Sequence, residues 1–182
     1  NSKIKQRSRE KAYAVLKMRE EVILTINIVS VGKLKEGYLR EASAEYEKRI
    51  KGFSKINIIE LNESRLPDNP SEALIEKALS DEATMMESYV AGKSFNIAMC
   101  IEGKQLSSEK LSKKLDETGV LGYSTVNFFI GSSFGLSEKV KQQCHLRLSM
   151  SEMTFPHQLA RIMLLEQIYR AFQISSGGKY HK

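Results

Sequence analysis

The sequence predicts an α/β fold, a mainly parallel five-stranded sheet with helices on both faces. Three observations carry the prediction. Five short segments rich in β-branched and aromatic residues alternate with five segments of helical spacing, so that each helix returns the chain to the same sheet. The 182 residues are 41% apolar and 27% charged, which suits one substantial core. The last helix spreads its apolar residues beyond the arc of about 100° that an ordinary surface helix buries.

Residues 22–182 are expected to form a single domain, and residues 1–21 a basic extension outside it. The extension holds seven basic and three acidic residues and is weakly amphipathic around Ala12, Val15 and Leu16. Met18 offers a native start, and the acidic residues and scarce serines argue against an organelle transit peptide. Val22 to Val31 reads as the first strand, ended by Gly32, and Glu36 to Lys51 as a charged helix with Leu39, Ala42, Tyr46 and Ile50 inward. Lys55 to Leu61 is the second strand. A polar loop, Asn62 to Asn69, leads to a helix opened by Pro70 and running to about Val90. Ser94 to Ile101 is the third strand, after which Gly103-Lys104 is read as a turn. Ser107 or Ser108 caps the next helix, to about Thr118. Thr125 to Ile130 (TVNFFI) is a strongly apolar fourth strand. The glycine-bearing loop Gly131-Ser132-Ser133-Phe134-Gly135 follows, then a short helix capped by Ser137. His145 to Leu148 is the fifth strand.

The stretch LSMSEMTFPHQLARIMLLEQIYRAF closes the chain, followed by QISSGGKYHK. Pro156 fits the first helical position, where a missing N–H costs nothing. Nothing breaks the helix before about Ile174, and at 1.5 Å per residue it is a rod of roughly 28 Å. Leu159, Ile162 and Met163 share helical spacing, as do Leu164, Leu165, Ile168, Tyr169 and Phe172. Two arrangements cover such a helix: a sheet on one side with a second subunit on the other, or the centre of one larger core.

Charge is uneven along the chain. The net +6 divides into +4 over residues 1–21, −2 over 22–140 and +4 over 141–182. A basic C-terminal end suits a polyanion such as RNA, because cation–phosphate contacts release counterions; a solvated surface is the alternative. The longest apolar stretch is Val22 to Val31, far short of a membrane span, and no hydrophobic signal sequence is seen. Cys100 and Cys144 make neither a disulfide framework nor a metal pattern, so reduced thiols and a cytoplasmic location are expected, with no membrane partner.

Ligands of open parallel sheets sit beyond the carboxyl ends of the strands, here the loops after Ile101, Ile130 and Leu148. Val31-Gly32-Lys33-Leu34 is no dinucleotide fingerprint, and there is no P-loop lysine motif. His145, His157 and His181 have no metal-ligand spacing, and no nucleophile elbow occurs. The glycines follow the fourth strand instead, where either a turn or close backbone approach by a ligand explains them.

Four segments resemble one family: IVSVGKLKEGYLREASAEYEKRI, IEGKQLSSEKL, FFIGSSFGLS, and LSMSEMTFPHQLARIMLLEQIYRAF with the terminal KYHK. They begin at Ile28 and end at Lys182, and they resemble the ribosomal large-subunit pseudouridine N3-methyltransferases (the RlmH family), minimal SPOUT methyltransferases, a resemblance that covers essentially residues 24–182. The resemblance implies a C-terminal trefoil knot, a rare exception to unknotted topology, and a homodimer. It implies S-adenosyl-L-methionine as methyl donor, without a metal. It also implies methylation of N3 of a pseudouridine in a large-subunit (23S) rRNA hairpin loop at the intersubunit bridge, on assembled ribosomes.

Carried over by position, the resemblance places cofactor contacts on Met99, Gly131, Met150, Ser151, Glu152, Met153, Thr154 and Phe155. Ordinary core filling is the competing reading for Met99, Met150 and Met153. It places the catalytic end of the chain on Arg170, Tyr180 and His181, with His157 a weaker candidate. A surface pair with Glu166, four residues earlier, also accounts for Arg170. A neutral hydrogen-bonded role accounts for His157, since the helix macrodipole disfavours a charged imidazole at its N-terminus. Two positions depart from the family. Ser132 stands where a second glycine is usual, and a positive φ there would cost about 1 kcal/mol or more. Glu152 replaces a commonly basic or neutral residue, facing either solvent or the sulfonium. A non-catalytic RNA- or ribosome-binding knot protein, or a SPOUT enzyme acting on tRNA, are the alternatives.

Overall fold

A single parallel sheet orders the molecule: β1 (Thr25–Val31), β2 (Lys55–Leu61), β3 (Phe95–Gln105), β4 (Thr125–Ile130) and β5 (Leu146–Ser149), arranged β2-β1-β4-β3-β5. The computed structural model describes residues 24–180; the N-terminal extension, the start of the expected first strand and His181 lie outside the described residues.

The helices are α1 (Gly37–Ile50), α2 (Glu72–Val90), α3 (Ser108–Val120), α4 (Glu138–Gln142) and α5 (His157–Ser175). Successive strand residues face opposite ways, and the buried side chains divide accordingly. Ile26, Ile28, Ile97 and Phe128 meet Ile50 of α1, Leu111 and Leu115 of α3, and Leu164, Leu165 and Ile168 of α5. Val29, Val31, Ala98 and Phe129 meet Ala83, Met86 and Val90 of α2 and Val140 of α4. The expected two-faced architecture is present, with three helices on one face and two on the other.

Polar residues set the register inside this apolar sheet. Asn57, Asn27, Asn127 and Asn96 stand in one row across four strands. Asn57 Nδ2 donates to Asn27 Oδ1 at 2.7 Å, and Asn27 Nδ2 to Asn127 Oδ1 at 2.8 Å. Asn127 Nδ2 lies 2.8 Å from Tyr89 O and Ser94 Oγ and 3.0 Å from Asn96 Oδ1. Slipping any strand by one residue would bury these amides without partners.

Helix starts follow local chemistry. Ser71, Ser107 and Ser137 cap α2, α3 and α4, their hydroxyls accepting the N–H of Leu74, Lys110 and Val140. Pro156 lies one place earlier than expected, as the extended N-cap of α5 rather than its first helical residue. Helix α5 packs between α1 and α3. Ser112 Oγ donates to Ala171 O at 2.7 Å, and Ser175 Oγ to Asp116 Oδ1 at 2.7 Å, fastening α3 to α5. Phe53 stacks on Phe172 at 5.9 Å and meets Tyr169 edge-on at 6.1 Å. Much of the broad apolar arc of α5 is thus covered within one chain, while Leu159 is left 41% exposed.

Gly103-Lys104 is not a turn, contrary to expectation. Strand β3 continues to Gln105, and both Met99 and Lys104 pair with Leu148, so residues 100–103 bulge out between two stretches of pairing. A Cβ on Gly103 would come within 2.7 Å of the backbone of Arg147 and Leu148, so only glycine lets β3 close onto β5.

Candidate active site

The carboxyl ends of β3, β4 and β5 open into one cavity of about 680 Å³, within the range of small-molecule and cofactor sites. Its wall combines the β3 bulge (Cys100, Ile101, Glu102), the loop after β4, and the loop between β5 and α5. Of the cofactor candidates, Met99, Gly131, Met150 and Ser151 line it, as do Met153, Thr154 and Phe155. Glu152 does not; it is exposed to solvent.

Each segment is held for a local reason. A Cβ on Gly131 would lie 2.1 Å from Gly135 O and 2.7 Å from Leu136 N, so the loop doubles back directly over this residue. Gly135 supplies the positive φ, +79°, that the reversal needs, and its N–H donates to Ser132 O at 2.9 Å. Ser132 carries no such strain, since no described residue other than glycine has a positive φ; its hydroxyl donates to Glu82 Oε2 at 3.1 Å. In the next loop Ser149 Oγ donates to Ser151 O at 2.9 Å, and Ser151 Oγ accepts the Met153 N–H at 3.0 Å. These short-range bonds order backbone that belongs to neither helix nor strand.

Among the described lining residues the charged side chains are Glu102 and Lys141, and they pair with each other. The Lys141 ammonium holds the Glu102 carboxyl below the usual carboxylate range. His157 also lines the cavity, and burial pushes its pKa below the ordinary 6.5, so the imidazole is neutral at neutral pH. The site is therefore largely apolar and close to neutral. It fits a nucleoside-like cationic ligand: there is backbone to meet an adenine edge, thioether and aliphatic walls, and no unpaired cation among the described lining residues to repel a sulfonium. Burial raises the Cys100 thiol above its usual range, so it meets a ligand as a small apolar group.

The catalytic candidates separate. Arg170 and Tyr180 are together, but not in this cavity. Arg170 Nε and Nη2 donate to Glu166 Oε1 at 3.0 and 2.5 Å, the pairing that the spacing allowed. The Arg170 guanidinium lies 4.7 Å from the Tyr180 ring centre, and the Tyr180 hydroxyl is 3.3 Å from Glu166 Oε1. The tail returns to α5 because Gly177, at φ +72°, reverses the chain and Gly178 N–H donates to Gln173 O at 2.7 Å. Burial, with the Glu166 carboxylate beside it, pushes the Tyr180 phenol above its usual range. Glu166 borders a second cavity of about 540 Å³ that shares Met99, Leu148, Ser149 and Met150 with the first. His157 is the one described catalytic candidate within the main cavity.

Arg161 carried no sequence signal and proves central. It is 1% exposed; Nη1 donates to Glu60 Oε1 at 2.6 Å and Nη2 to Gly32 O at 2.8 Å. This pins the first turn of α5, and so His157, to the ends of β1 and β2. A lone arginine on a helix gave no reason to expect burial.

Among the described residues there is no helix long and apolar enough to cross a membrane, and no group of three or more His, Cys, Asp or Glu able to hold a metal.

Comparison with known proteins agrees with this geometry. The family model described as Predicted SPOUT methyltransferase matches residues 24–181. Proteins named Ribosomal RNA large subunit methyltransferase H from Streptococcus pneumoniae strains CGSP14 and 70585 are each 48% identical over 159 residues, covering 87% of this chain and 100% of those proteins. Among solved structures, a probable methyltransferase from Bordetella pertussis Tohama I matches with a TM-score of 0.50 and 14% identity over 85% of this chain and 99% of that one, a likeness of fold alone.

Proposed function

The chain belongs to the SPOUT methyltransferase family, and on that premise we propose that it methylates N3 of a pseudouridine in a hairpin loop of large-subunit ribosomal RNA, on assembled ribosomes, with S-adenosyl-L-methionine as donor. One observation carries the reading: the three strand-end loops meet in a single near-neutral cavity lined by Gly131, over which the loop after β4 doubles back. The name shared by the 48% identical relatives supports the RNA substrate. Ser132, one of the two departures that support a non-catalytic protein, is accommodated without a positive φ.

When bound, the donor supplies an activated methyl group, so the protein's task is chiefly positioning. Met99 and Met150 offer apolar walls, and the 150–155 loop offers backbone N–H and C=O groups to an adenine edge. The N3–H of the target ring is weakly acidic and must be lost before the nitrogen attacks. The tail handles that proton: Tyr180, protonated at neutral pH, donates a hydrogen bond to the base, and His181 accepts the proton. Arg170, once it exchanges Glu166 for substrate, stabilises the charge that develops on the ring or binds a phosphate. His157 holds the cavity side of the site as a neutral imidazole.

Arg170 and Tyr180 do not line the cavity of their own chain, and this favours a homodimer in which one chain's tail serves the other's cavity. Met153, 71% exposed, and Leu159 offer apolar surface for the pairing.

The test is methyl transfer from labelled S-adenosylmethionine to assembled ribosomes lacking the modification, with the product nucleoside identified by mass spectrometry. N3-methylpseudouridine supports the reading. No transfer and no cofactor binding would replace it with a binding module. Transfer to tRNA alone would move the substrate.

A further inference from the structure

Glu82 is a buried carboxylate that the chemistry above does not use. It lies on the inner face of α2 beside Ala83 and Met86 and is 4% exposed, where an aliphatic side chain would be ordinary. Burying an ionised carboxylate is costly unless hydrogen bonds compensate it. Two donors offset part of that cost, the Ser132 hydroxyl at 3.1 Å and the Ser64 backbone N–H from the loop after β2, while burial still holds the Glu82 carboxyl above its usual range.

These bonds lead to the cavity. Ser132 is itself buried and lines it. Among the described residues, the Ser132–Glu82 bond is the one side-chain hydrogen bond made by residues 131–136, a loop also held by its own Gly135-to-Ser132 backbone bond and, at its far end, by the buried Leu136. The loop folds back closely over Gly131, and Gly131 to Leu136 all line the cavity, so a small outward shift of the loop would change the cavity's shape.

We infer that Glu82 is a positioning residue for the cofactor cavity: its carboxylate tethers Ser132, and through Ser132 the loop from Gly131 to Leu136, to the inner face of α2. The inference rests on the reading of this cavity as the S-adenosylmethionine site. The serine that stands beside Gly131 is then a functional half of a buried pair, and cofactor affinity depends on a helix that contributes no lining residue to the cavity.

Calorimetric titration with S-adenosylmethionine, alongside thermal melts, tests this on Glu82→Ala, Glu82→Gln, Ser132→Ala, the Glu82→Ala/Ser132→Ala double variant and, as a control, Glu76→Gln on the exposed side of α2. Glu82→Ala and Ser132→Ala should each weaken binding about tenfold, the size of one charge-assisted hydrogen bond. The double variant should be little weaker than either, because both remove the same tether. Glu82→Gln, which keeps an acceptor, should recover most of the affinity, and Glu76→Gln should match wild type. A merely structural role would lower melting temperatures without coupling the two affinities. Wild-type affinity in Ser132→Ala, losses that multiply in the double variant, or a Glu82→Gln as weak as Glu82→Ala would each overturn the tether. Should Glu82→Ala fail to fold, Ser132→Ala and Glu82→Gln decide. Failure of the wild-type chain to bind S-adenosylmethionine would instead overturn the cavity reading, and the inference with it.

Discussion

Gly131→Ala should damage the cavity more than the fold. The added methyl would sit 2.1 Å from Gly135 O and 2.2 Å from Gly135 C, where ordinary contact begins at 3.4 Å. The backbone must therefore open by about 1.3 Å, and the atoms in the way are main chain that cannot rotate aside. Overpacking of this kind costs about 1–3 kcal/mol, and at this chain length each kcal/mol lowers the melting temperature by about 2–4 °C. A fall of roughly 2–12 °C is expected, leaving the protein folded at 25 °C. The cavity suffers more, because a displacement near 1 Å at a site that works by positioning costs on the order of a hundredfold. Melting by circular dichroism and S-adenosylmethionine titration read the two effects separately. Gly122→Ala is the control: Gly122 has φ +87° and nothing within 4 Å of an added methyl, so strain lowers its stability while the cavity is untouched. Wild-type cofactor affinity in Gly131→Ala, or equal affinity losses in both variants, would refute the reasoning.

Three further outcomes are expected. Asn127→Ala strips Asn27 Nδ2 of its acceptor and Tyr89 O of a donor inside the sheet, and should cost about 3 kcal/mol, or roughly 6–12 °C in melting temperature; a loss below about 1 kcal/mol would show that the asparagine row does not fix the register. Because burial lowers the His157 pKa below 6.5, the folded chain binds fewer protons there than the unfolded chain, so its contribution to stability is present above pH 6.5 and is lost as pH falls through the folded value. The melting temperature of wild type should then drop more steeply below pH 6.5 than that of His157→Gln, and parallel curves would contradict this. Burial, with Cys100 nearby, pushes the Cys144 thiol up to about 12, so a thiol-alkylating reagent at pH 8 should label it in denaturant and scarcely at all in the native protein, as peptide mass spectrometry would show.

The alternation of periods along the chain was enough to read the sheet. Lys55–Leu61 and Thr125–Ile130 form the strands expected, because composition and turn residues bounded both from either side. The capping serines 107 and 137 act locally, and their helices start where they stand. Gly103-Lys104 shows where local reading fails. A Gly–Lys pair after a strand has the signature of a turn, yet it bulges and continues, since its partner is Leu148, more than forty residues onward. The bulge carries Cys100, Ile101 and Glu102 into the cavity wall, a placement that no local signal at those three residues announces.

The candidate site divides in the same way. Met99, Gly131 and the 150–155 loop were accessible because parallel sheets present their ligands at strand ends and because the motifs there resemble a family. The sequence by itself thus determined the elements, their parallel order of use and the loops at the carboxyl edge, since period, capping and turn chemistry act over a few residues. Tertiary structure alone decided that Glu82 reaches Ser132 across 50 residues, that Arg161 is buried against Glu60 across 101, and that the tail brings Tyr180 back to Glu166 outside the cavity, where the Arg170–Glu166 pair that the spacing allowed already stands. Those facts depend on which side chains the sheet brings together and which charges it leaves without water, and no local pattern encodes either.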